Sequence, residues 1–498
     1  MTSVGRVPNL NAEAVARVRD DLATASYTVD DVQDALGPVG AAALSRDETT
    51  PGLRATAGGS ALETLVRLWP LQTAVPLAAV QAALPTSLDA LVTGGLLDPE
   101  GGEVRAVVDL RPYADDAGGW WVCSDLTPGL DGVLSPVPRD HVLGVSSASS
   151  TLAQITVRPD VARAVDLGTG CGVQSLHLAR HARHVVATDV SHRALAMARI
   201  TAALNRIALD LRRGDLYGPV ADESFDLVVS NPPFVVSPGG RHAYRDSRLV
   251  GDEISLRVVV EGARRLTEGG WLHALVNWVR PYGRDWRDRI GAWVAATGCD
   301  AWVVEREVLD PAAYVELWLR DSGEVALPDY TERYDRWLGW FEEQGVEAVG
   351  FGWVTLRRTG ADTPAVRLEE WRHPVEQPLG PTVQAGLERA ALLRGWADDA
   401  VLLGRRLAVA PDVVQEAVGP PGAEHPDRVV LRQRRGLMRA RQVGTAEAGL
   451  VGACDGSVQL GVLVDAVAEV LERDPEALRA ELVPRVRELV AEGFLLPA

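Results

Sequence analysis

Short strands rich in β-branched residues alternate with helices through the middle of the chain, and this alternation constrains the fold most strongly. The pattern predicts strands at 161–167, 184–189, 210–213, 225–230 and 271–278, with helices at 173–180 and 192–204 between them. Two further strands at 302–308 and 349–356, and a helix at 330–344, complete the prediction. Strands and helices that alternate in this way form a doubly wound parallel sheet. We therefore expect an α/β core of seven strands within residues 141–360.

The segments on both sides of this core have helical patterns. Residues 58–99 are expected to be helical and to be followed by strands at 104–110 and 120–123, and helices are expected at 460–471 and 475–490 near the carboxy terminus. Both segments resemble winged-helix modules, although an ordinary glycine cap after a helix gives the same pattern. The predicted domains are an N-terminal, winged-helix-like substrate-recognition domain at 1–140, the core at 141–360 and a C-terminal, winged-helix-like domain at 361–498.

Composition excludes several classes of protein. The chain has 498 residues, 47% hydrophobic and 24% charged, which is typical of a globular protein of about three domains. No apolar run reaches a membrane-spanning length and no signal pattern is present, so we expect a cytoplasmic protein without a membrane partner. Four cysteines lie far apart without metal-ligand spacing, and we expect no metal. The net charge of −18 opposes binding to phosphate backbones unless arginine is locally concentrated.

A glycine-rich turn follows the first predicted strand of the core. Its candidate ligand-binding residues are Asp166, Gly168, Gly170 and Gly172. Glycines there let the backbone approach a ligand and direct helix amides toward it. Asp189 ends the next strand, where a carboxylate can accept both hydroxyls of a ribose, and Asp215 follows the third strand within reach of an adenine amino group. An ordinary α/β turn with an exposed acid is the alternative interpretation.

The fourth strand ends in Asn231, Pro232, Pro233 and Phe234, the most specific motif in the chain. Neither prolyl nitrogen can donate a hydrogen bond, so the Asn231 side chain and the Pro232 carbonyl are left as acceptors. A planar amino group can donate its two hydrogens to them while its face rests against Phe234. The alternative is a simple turn between a strand and a loop.

These motifs, in this order on successive strands, resemble the class I S-adenosylmethionine-dependent methyltransferases. The Asn-Pro-Pro-aromatic tetrapeptide is similar to that of the release-factor glutamine methyltransferases and of enzymes that methylate adenine N6 or guanine N2. The resemblance implies a Rossmann-like seven-stranded core and S-adenosyl-L-methionine as cofactor. It also implies that Asp166 and the three glycines line the methionine moiety, that Asp189 takes the ribose, that Asp215 contacts adenine, and that Asn231 belongs to both the catalytic and the cofactor site.

Two other segments are candidates for substrate contact. Tyr244 and Arg245 fall in the loop expected to cover the acceptor, although a solvated loop has the same composition. A basic stretch near the carboxy terminus contains Arg428, Arg432, Arg434, Arg435, Arg439 and Arg441. These arginines are expected to face RNA phosphate or an acidic peptide, or to line a solvated strand edge.

The function that follows is an N-methyltransferase acting on a planar or amino nitrogen of a peptide or protein, in a glutamine-amide-like group. The acidic charge of the chain favours this acceptor. The alternatives are an rRNA or tRNA adenine-N6 or guanine-N2 methyltransferase, a methyltransferase of a ribosomally made modified peptide, and a non-catalytic nucleotide-binding regulator.

Overall fold

The amino-terminal unit, residues 6–124, combines short helices with a three-stranded sheet and a separate hairpin. The computed structural model describes residues 6–133, 137–138, 140–238, 251–421 and 426–498. The helices of the unit are α1 (Ala12–Thr24), α2 (Val29–Leu44), α3 (Thr50–Ala55), α4 (Ala61–Leu68), α5 (Leu77–Ala83) and α6 (Leu88–Thr93). Its strands are β1 (Val75–Pro76), β2 (Leu97–Glu100), β3 (Glu103–Ala106), β4 (Asp109–Asp115) and β5 (Gly118–Ser124).

The small sheet has the strand order β1-β3-β2. Strands β2 and β3 are joined by Gly101 and Gly102, whose φ values of 62° and 85° suit a two-residue hairpin turn. The hairpin that follows the helices is therefore β2–β3, whereas the prediction placed its strands at 104–110 and 120–123 and expected residues 97–99 to be helical. The winged-helix interpretation stays a prediction. The strand predicted at 104–110 is interrupted, since β3 ends at Ala106 and β4 begins at Asp109. The chain bends between the two strands, where the side chain of Val108 is fully buried.

The middle of the chain forms an eight-stranded sheet with helices on both faces. Its strands are β6 (Val161–Leu167), β7 (Ala182–Asp189), β8 (Asp210–Arg213), β9 (Phe225–Ser230), β10 (Leu266–Pro281), β11 (Asp300–Leu309), β12 (Val346–Arg357) and β13 (Val366–Glu370). The helices are α7 (Ser147–Ile155), α8 (Val173–Leu178), α9 (His192–Leu204), α10 (Glu253–Ala263), α11 (Trp286–Ala295), α12 (Pro311–Asp321) and α13 (Tyr330–Glu343).

The strand order is β13-β11-β12-β10-β9-β6-β7-β8, and the pairs between β8 and β10 are all parallel. Strand β12 is antiparallel to both of its neighbours. The mostly parallel sheet is confirmed, and all seven predicted strands are present. The prediction missed β13, which pairs in parallel with β11 beyond residue 360. Three charged residues among its five give this edge strand the sequence pattern of a solvated loop.

The parallel register brings several strand ends together. Leu167 at the end of β6 lies opposite Thr188 of β7 on one side and Ser230 of β9 on the other. The residues that follow these three strands therefore meet at one edge of the sheet, where α/β proteins bind ligands.

The carboxy-terminal unit, residues 380–498, contains two small sheets. Its helices are α14 (Gly380–Gly395), α15 (Asp399–Leu403), α16 (Thr445–Ala453), α17 (Leu460–Val470) and α18 (Pro475–Glu492). Its strands are β14 (Arg406–Val409), β15 (Val413–Val418), β16 (Arg428–Gln433), β17 (Ala440–Val443), β18 (Asp455–Gln459) and β19 (Leu495–Pro497). The sheets have the orders β18-β14-β19 and β15-β16-β17. No described helix has the length and apolar character that crossing a bilayer requires. The two predicted boundaries between the three domains stay predictions.

The amino-terminal unit packs directly on helices α8 and α9. One continuous apolar cluster includes Trp69 and Trp120 of the unit together with Leu176, Met197 and Ile200 of the two helices. Side chains of α9 also satisfy the free edge of β5: the Cys123 N–H donates to Thr201 Oγ1 (3.0 Å) and the Trp121 N–H donates to Asn205 Oδ1 (3.0 Å). The two parts therefore share one core.

Candidate active site

The turn at residues 168–172 has a conformation that requires glycine. Gly168, Gly170 and Gly172 have φ values of 75°, 55° and 91°, in the left-handed region. A Cβ built on Gly170 would meet nothing within 4 Å, because that position faces a cavity. A Cβ on Gly172 would lie 3.5 Å from the Cα of Ala198, an ordinary contact, so its positive φ and not a lack of space calls for glycine there. Gly172 does not line the cavity.

Asp166 lies beneath the turn and is 1% exposed. Its Oδ2 accepts hydrogen bonds from Thr169 Oγ1 (2.7 Å), the Ser175 N–H (2.9 Å) and Ser175 Oγ (2.7 Å). Burial raises the pKa of the carboxyl to about 6. Asp166 does not line the cavity, and its contacts hold the turn against the start of α8. Asp166 therefore holds the glycine turn in its conformation and does not face a ligand in the cavity.

Asp189 lies at the end of β7 and lines the cavity. Its Oδ2 accepts from the Gly170 N–H (3.0 Å) and its Oδ1 accepts from the Ser191 N–H (2.8 Å). Burial raises the pKa of this carboxyl. Each oxygen keeps a lone pair for a further donor, so the side chain is held in place and can still accept ligand hydroxyls.

Asp215 lines the same cavity from the far side of β8 and is exposed. The apolar residues Val190 and Leu216 line the same cavity, and Val190 is 43% exposed. A cavity that combines an acceptor with apolar side chains can bind a planar ring that carries an amino group.

The motif after β9 contributes Asn231, Pro232 and Pro233 to the cavity lining. The Oδ1 atom of Asn231 is buried and has no hydrogen-bond partner among the residues that the structure describes. A buried acceptor without a partner is costly, and such atoms in native proteins call for an explanation such as a ligand.

Phe234 does not line this cavity, contrary to the expectation that its ring rests on the acceptor. The ring meets Trp318 of α12 edge-on at 6.4 Å between ring centroids, since the chain turns after Pro233 toward an aromatic cluster. Tyr244 and Arg245 lie outside the described residues.

The cavity has a volume of about 570 Å³, within the range of about 300–1,000 Å³ typical of small-molecule sites. Sequence reasoning missed one of its walls. This wall segment, residues 140–149, contributes Asp140, His141, Val142, Leu143, Gly144, Ser146 and Ser149. No ligand-binding motif marks it. The glycine turn, two acidic residues on successive strands and the unpartnered Asn231 oxygen suit S-adenosylmethionine. Among the described residues no group of His, Cys, Asp or Glu is placed to hold a metal ion.

The arginine stretch near the carboxy terminus is only partly available for binding. Arg432 pairs with Glu416 (2.7 Å) and Arg439 with Glu369 (2.7 Å), and Arg441 contacts Glu447, Glu488 and Glu492. Arg439 is 8% exposed. Arg439 and Arg441 are therefore engaged by internal carboxylates, whereas the Arg432–Glu416 pair lies at the surface, with side chains that are 43% and 40% exposed. This corrects the expectation that all six arginines are available to a ligand. Arg428, Arg434 and Arg435 are exposed.

Three family models match the chain. Residues 144–297 match "Methyltransferase small domain", and residues 24–107 and 384–497 match two domains of unknown function, DUF7059 and DUF7782.

Among curated relatives, a release factor glutamine methyltransferase of Geobacter sulfurreducens is 31% identical over 160 residues, covering 29% of this chain and 55% of the relative. A ribosomal RNA small subunit methyltransferase C of Alcanivorax borkumensis is 33% identical over 120 residues, covering 24% of this chain and 34% of the relative. The chain thus spans at most about half the length of these two relatives.

A solved structure of a T. thermophilus 16S rRNA N2 G1207 methyltransferase, in complex with AdoMet and guanosine, is 20% identical. The match covers 43% of this chain and 56% of that one with a TM-score of 0.28, too low for a conclusion. The family match and the strand order agree with each other. Residues 144–297 match the methyltransferase small-domain family, and the sheet at residues 161–370 has the fold of the class I S-adenosylmethionine-dependent methyltransferases.

Proposed function

We propose that this chain is an S-adenosylmethionine-dependent N-methyltransferase whose acceptor is a planar amide or amino nitrogen of a peptide or protein. The observation that carries the proposal is the Asn231 Oδ1 atom, a buried acceptor without a partner in the same cavity as the glycine turn. A donor from a bound substrate would satisfy it.

Different residues around the cavity bind different parts of the cofactor. The backbone at Gly168 and Gly170 faces the methionine moiety, and Asp189 accepts from the ribose hydroxyls. Asp215 accepts from the adenine amino group, while Val190 and Leu216 cover the ring. Asp166 holds the turn in place through Thr169 and Ser175.

The acceptor nitrogen is held by the motif after β9. Its two hydrogens are donated to Asn231 Oδ1 and to the Pro232 carbonyl. Bound S-adenosylmethionine supplies an activated methyl group, so the main task of the protein is to align the acceptor in a site that excludes water. The lone pair of a planar nitrogen is delocalised, and hydrogen bonds from its N–H groups favour the pyramidal form as positive charge develops. The proton can leave after transfer.

The surface beside this motif supports a protein acceptor. We name residues 310–345, from the start of α12 to the end of α13, the aromatic lobe. It meets the motif where the Val236 N–H donates to Tyr314 Oη (2.8 Å) and where Phe234 contacts Trp318. Half-buried aromatic side chains on α13 include Tyr330, Tyr334, Trp337 and Trp340.

The aromatic lobe is strongly acidic. Its nine carboxylate residues are Asp310, Glu316, Asp321, Glu324, Asp329, Glu332, Asp335, Glu342 and Glu343, against the three arginines Arg320, Arg333 and Arg336. Two of these acids, Glu324 and Asp329, pair with Arg333 of the same lobe. The net negative charge opposes binding to phosphate backbones, whereas cationic side chains of a polypeptide can stack on the aromatic rings.

Methyl-labelled S-adenosylmethionine tests the proposal. The purified chain is incubated with extract from a strain that lacks it, and protein and RNA are then separated. We expect label in protein, at an amide or amino nitrogen, and a rate of labelling that is lower by roughly a hundredfold with the Asn231→Ala variant. Label confined to RNA would replace the proposal with the RNA alternative. Cofactor binding without label in either fraction would indicate a non-catalytic binding protein.

A further inference from the structure

The wall segment is fixed to the amino-terminal unit by one aspartate. Asp125 directly follows β5, and its N–H donates to the Val142 carbonyl (3.0 Å). In return the Val142 N–H donates to Asp125 Oδ2 (2.8 Å). Val142 lies in the cavity wall beside His141 and Leu143. These two hydrogen bonds hold the wall segment against the end of the hairpin.

The same carboxylate connects the wall segment to the methyltransferase core. Arg193 of α9 donates from Nε to Asp125 Oδ1 (3.1 Å) and Oδ2 (2.9 Å), and a second guanidinium nitrogen also contacts Oδ1. The two side chains are 11% and 10% exposed. Two residues earlier, the Ser191 N–H donates to Asp189 (2.8 Å). The pair thus links the wall segment to the helix that begins beside the proposed ribose acceptor.

The wall segment packs closely against the end of β5 and against α8. A Cβ on Gly144 would come within 2.8 Å of Ser124 Oγ, and Gln174 Nε2 of α8 donates to the Ser149 carbonyl (2.7 Å). A shift of Asp125 or Arg193 would therefore displace the cavity wall.

We propose that the Asp125–Arg193 pair is the positioning element of the cofactor cavity and that the amino-terminal unit is consequently a part of the cofactor site. The proposal rests on the proposed function, since it takes S-adenosylmethionine as the ligand of this cavity. Asp125 and Arg193 do not line the cavity, so they act through the wall segment. Cofactor binding and the seating of the wall segment are then coupled, and each strengthens the other.

A second ion pair of the same interface provides a matched control. Asp115 of β4 pairs with Arg180, which follows α8, and the Arg180 guanidinium stacks over Trp120 at 3.8 Å from the ring centroid. Neither Asp115 nor Arg180 lines the cavity. Loss of this pair weakens the interface without reaching the wall segment.

The test uses the full chain with S-adenosylhomocysteine as the probe, in Asp125→Asn, Arg193→Gln, Arg193→Lys and Asp115→Asn variants. Calorimetry should show affinity falling by about tenfold or more in Asp125→Asn and Arg193→Gln, in part restored in Arg193→Lys, and changed by less than about twofold in Asp115→Asn. Hydrogen exchange should show that the probe protects the Val142 amide in the wild type and in Asp115→Asn, and does so less in Asp125→Asn.

Several results would overturn the proposal. One is Asp125→Asn binding the probe as tightly as the wild type, and another is Asp115→Asn losing affinity equally, which would indicate general destabilisation. If Asp125→Asn fails to fold, equal affinities in Arg193→Lys, Arg193→Gln and the wild type would have the same meaning. A wild type that does not bind the probe would refute the proposed function itself, a result that separates the two failures.

Discussion

Replacing Asn231 by alanine should lower the rate of methyl transfer without lowering the free energy of unfolding. The structure gives an approximate size for each effect. The substitution removes an oxygen that is buried and lacks a hydrogen-bond partner in the ligand-free chain. Losing such an acceptor should leave the free energy of unfolding unchanged or raise it by up to about 1 kcal/mol, because no hydrogen bond is broken. In the transition state the same oxygen is proposed to hold the acceptor nitrogen. Removing one such group costs about 3 kcal/mol, which lowers kcat by roughly a hundredfold.

The assay measures three quantities on Asn231→Ala and on Asn231→Asp, which keeps an acceptor oxygen at the same position. Thermal melts report stability, calorimetry with S-adenosylhomocysteine reports cofactor affinity, and transfer of labelled methyl to the acceptor fraction reports kcat. We expect alanine to keep stability and most of the cofactor affinity while losing turnover, and aspartate to retain part of the turnover. Wild-type turnover in the alanine variant would refute the planar-nitrogen mechanism, and a large loss of stability would show that the oxygen has a structural role.

Three further predictions concern other parts of the chain. Asp189→Ala should weaken S-adenosylhomocysteine binding by about ten- to a hundredfold, because hydrogen bonds to a charged acceptor are lost, and unchanged calorimetric affinity would contradict the assignment. Reversing the exposed Arg434 and Arg435 to glutamate should leave the KM of a protein acceptor unchanged. A KM of an RNA acceptor that rises with this change, by a factor that shrinks in higher salt, would instead indicate RNA recruitment. Burial lowers the pKa of His177 to about 4 and that of His273 to about 3, so native rings stay neutral where unfolded ones take up a proton. The neutral histidines therefore cost no stability above about pH 6.5, and the free energy of unfolding decreases as the pH falls from there toward 4. The melting temperature of His177→Gln should decrease less over that range than that of the wild type.

Where one strand supplies one candidate residue, the sequence predicted the position of that residue in the fold. Asp189 and Asn231 each follow a buried strand, and the parallel register brings their strand ends to the same edge as the glycine turn. Local pattern and sheet geometry are enough for that prediction. The role of Asp166 is different, because its position beneath the turn depends on Ser175, which only the folded helix brings within 2.7 Å.

The wall segment and the orientation of Phe234 were not predictable in this way. Asp125 and Arg193 are 68 residues apart, and nothing local to either marks the pair. Phe234 follows Pro233 in sequence, but a cluster on α12 determines where its ring packs. Both features depend on packing between distant segments, which a motif does not encode. The eighth strand was missed because an exposed edge tolerates charged residues.

The shared core of the amino-terminal unit and helices α8 and α9 bears on how the chain is made. Translation delivers residues in order at about 5–20 per second, so everything up to Ser124 emerges seconds before α9 is complete. Leu176, Met197 and Ile200 thus leave the ribosome when an apolar surface of the earlier unit already exists for them to pack on. A nascent chain without that unit would expose these side chains to water and to chaperones. Because the amino-terminal unit is synthesised first, helices α8 and α9 can pack on its apolar surface as they leave the ribosome.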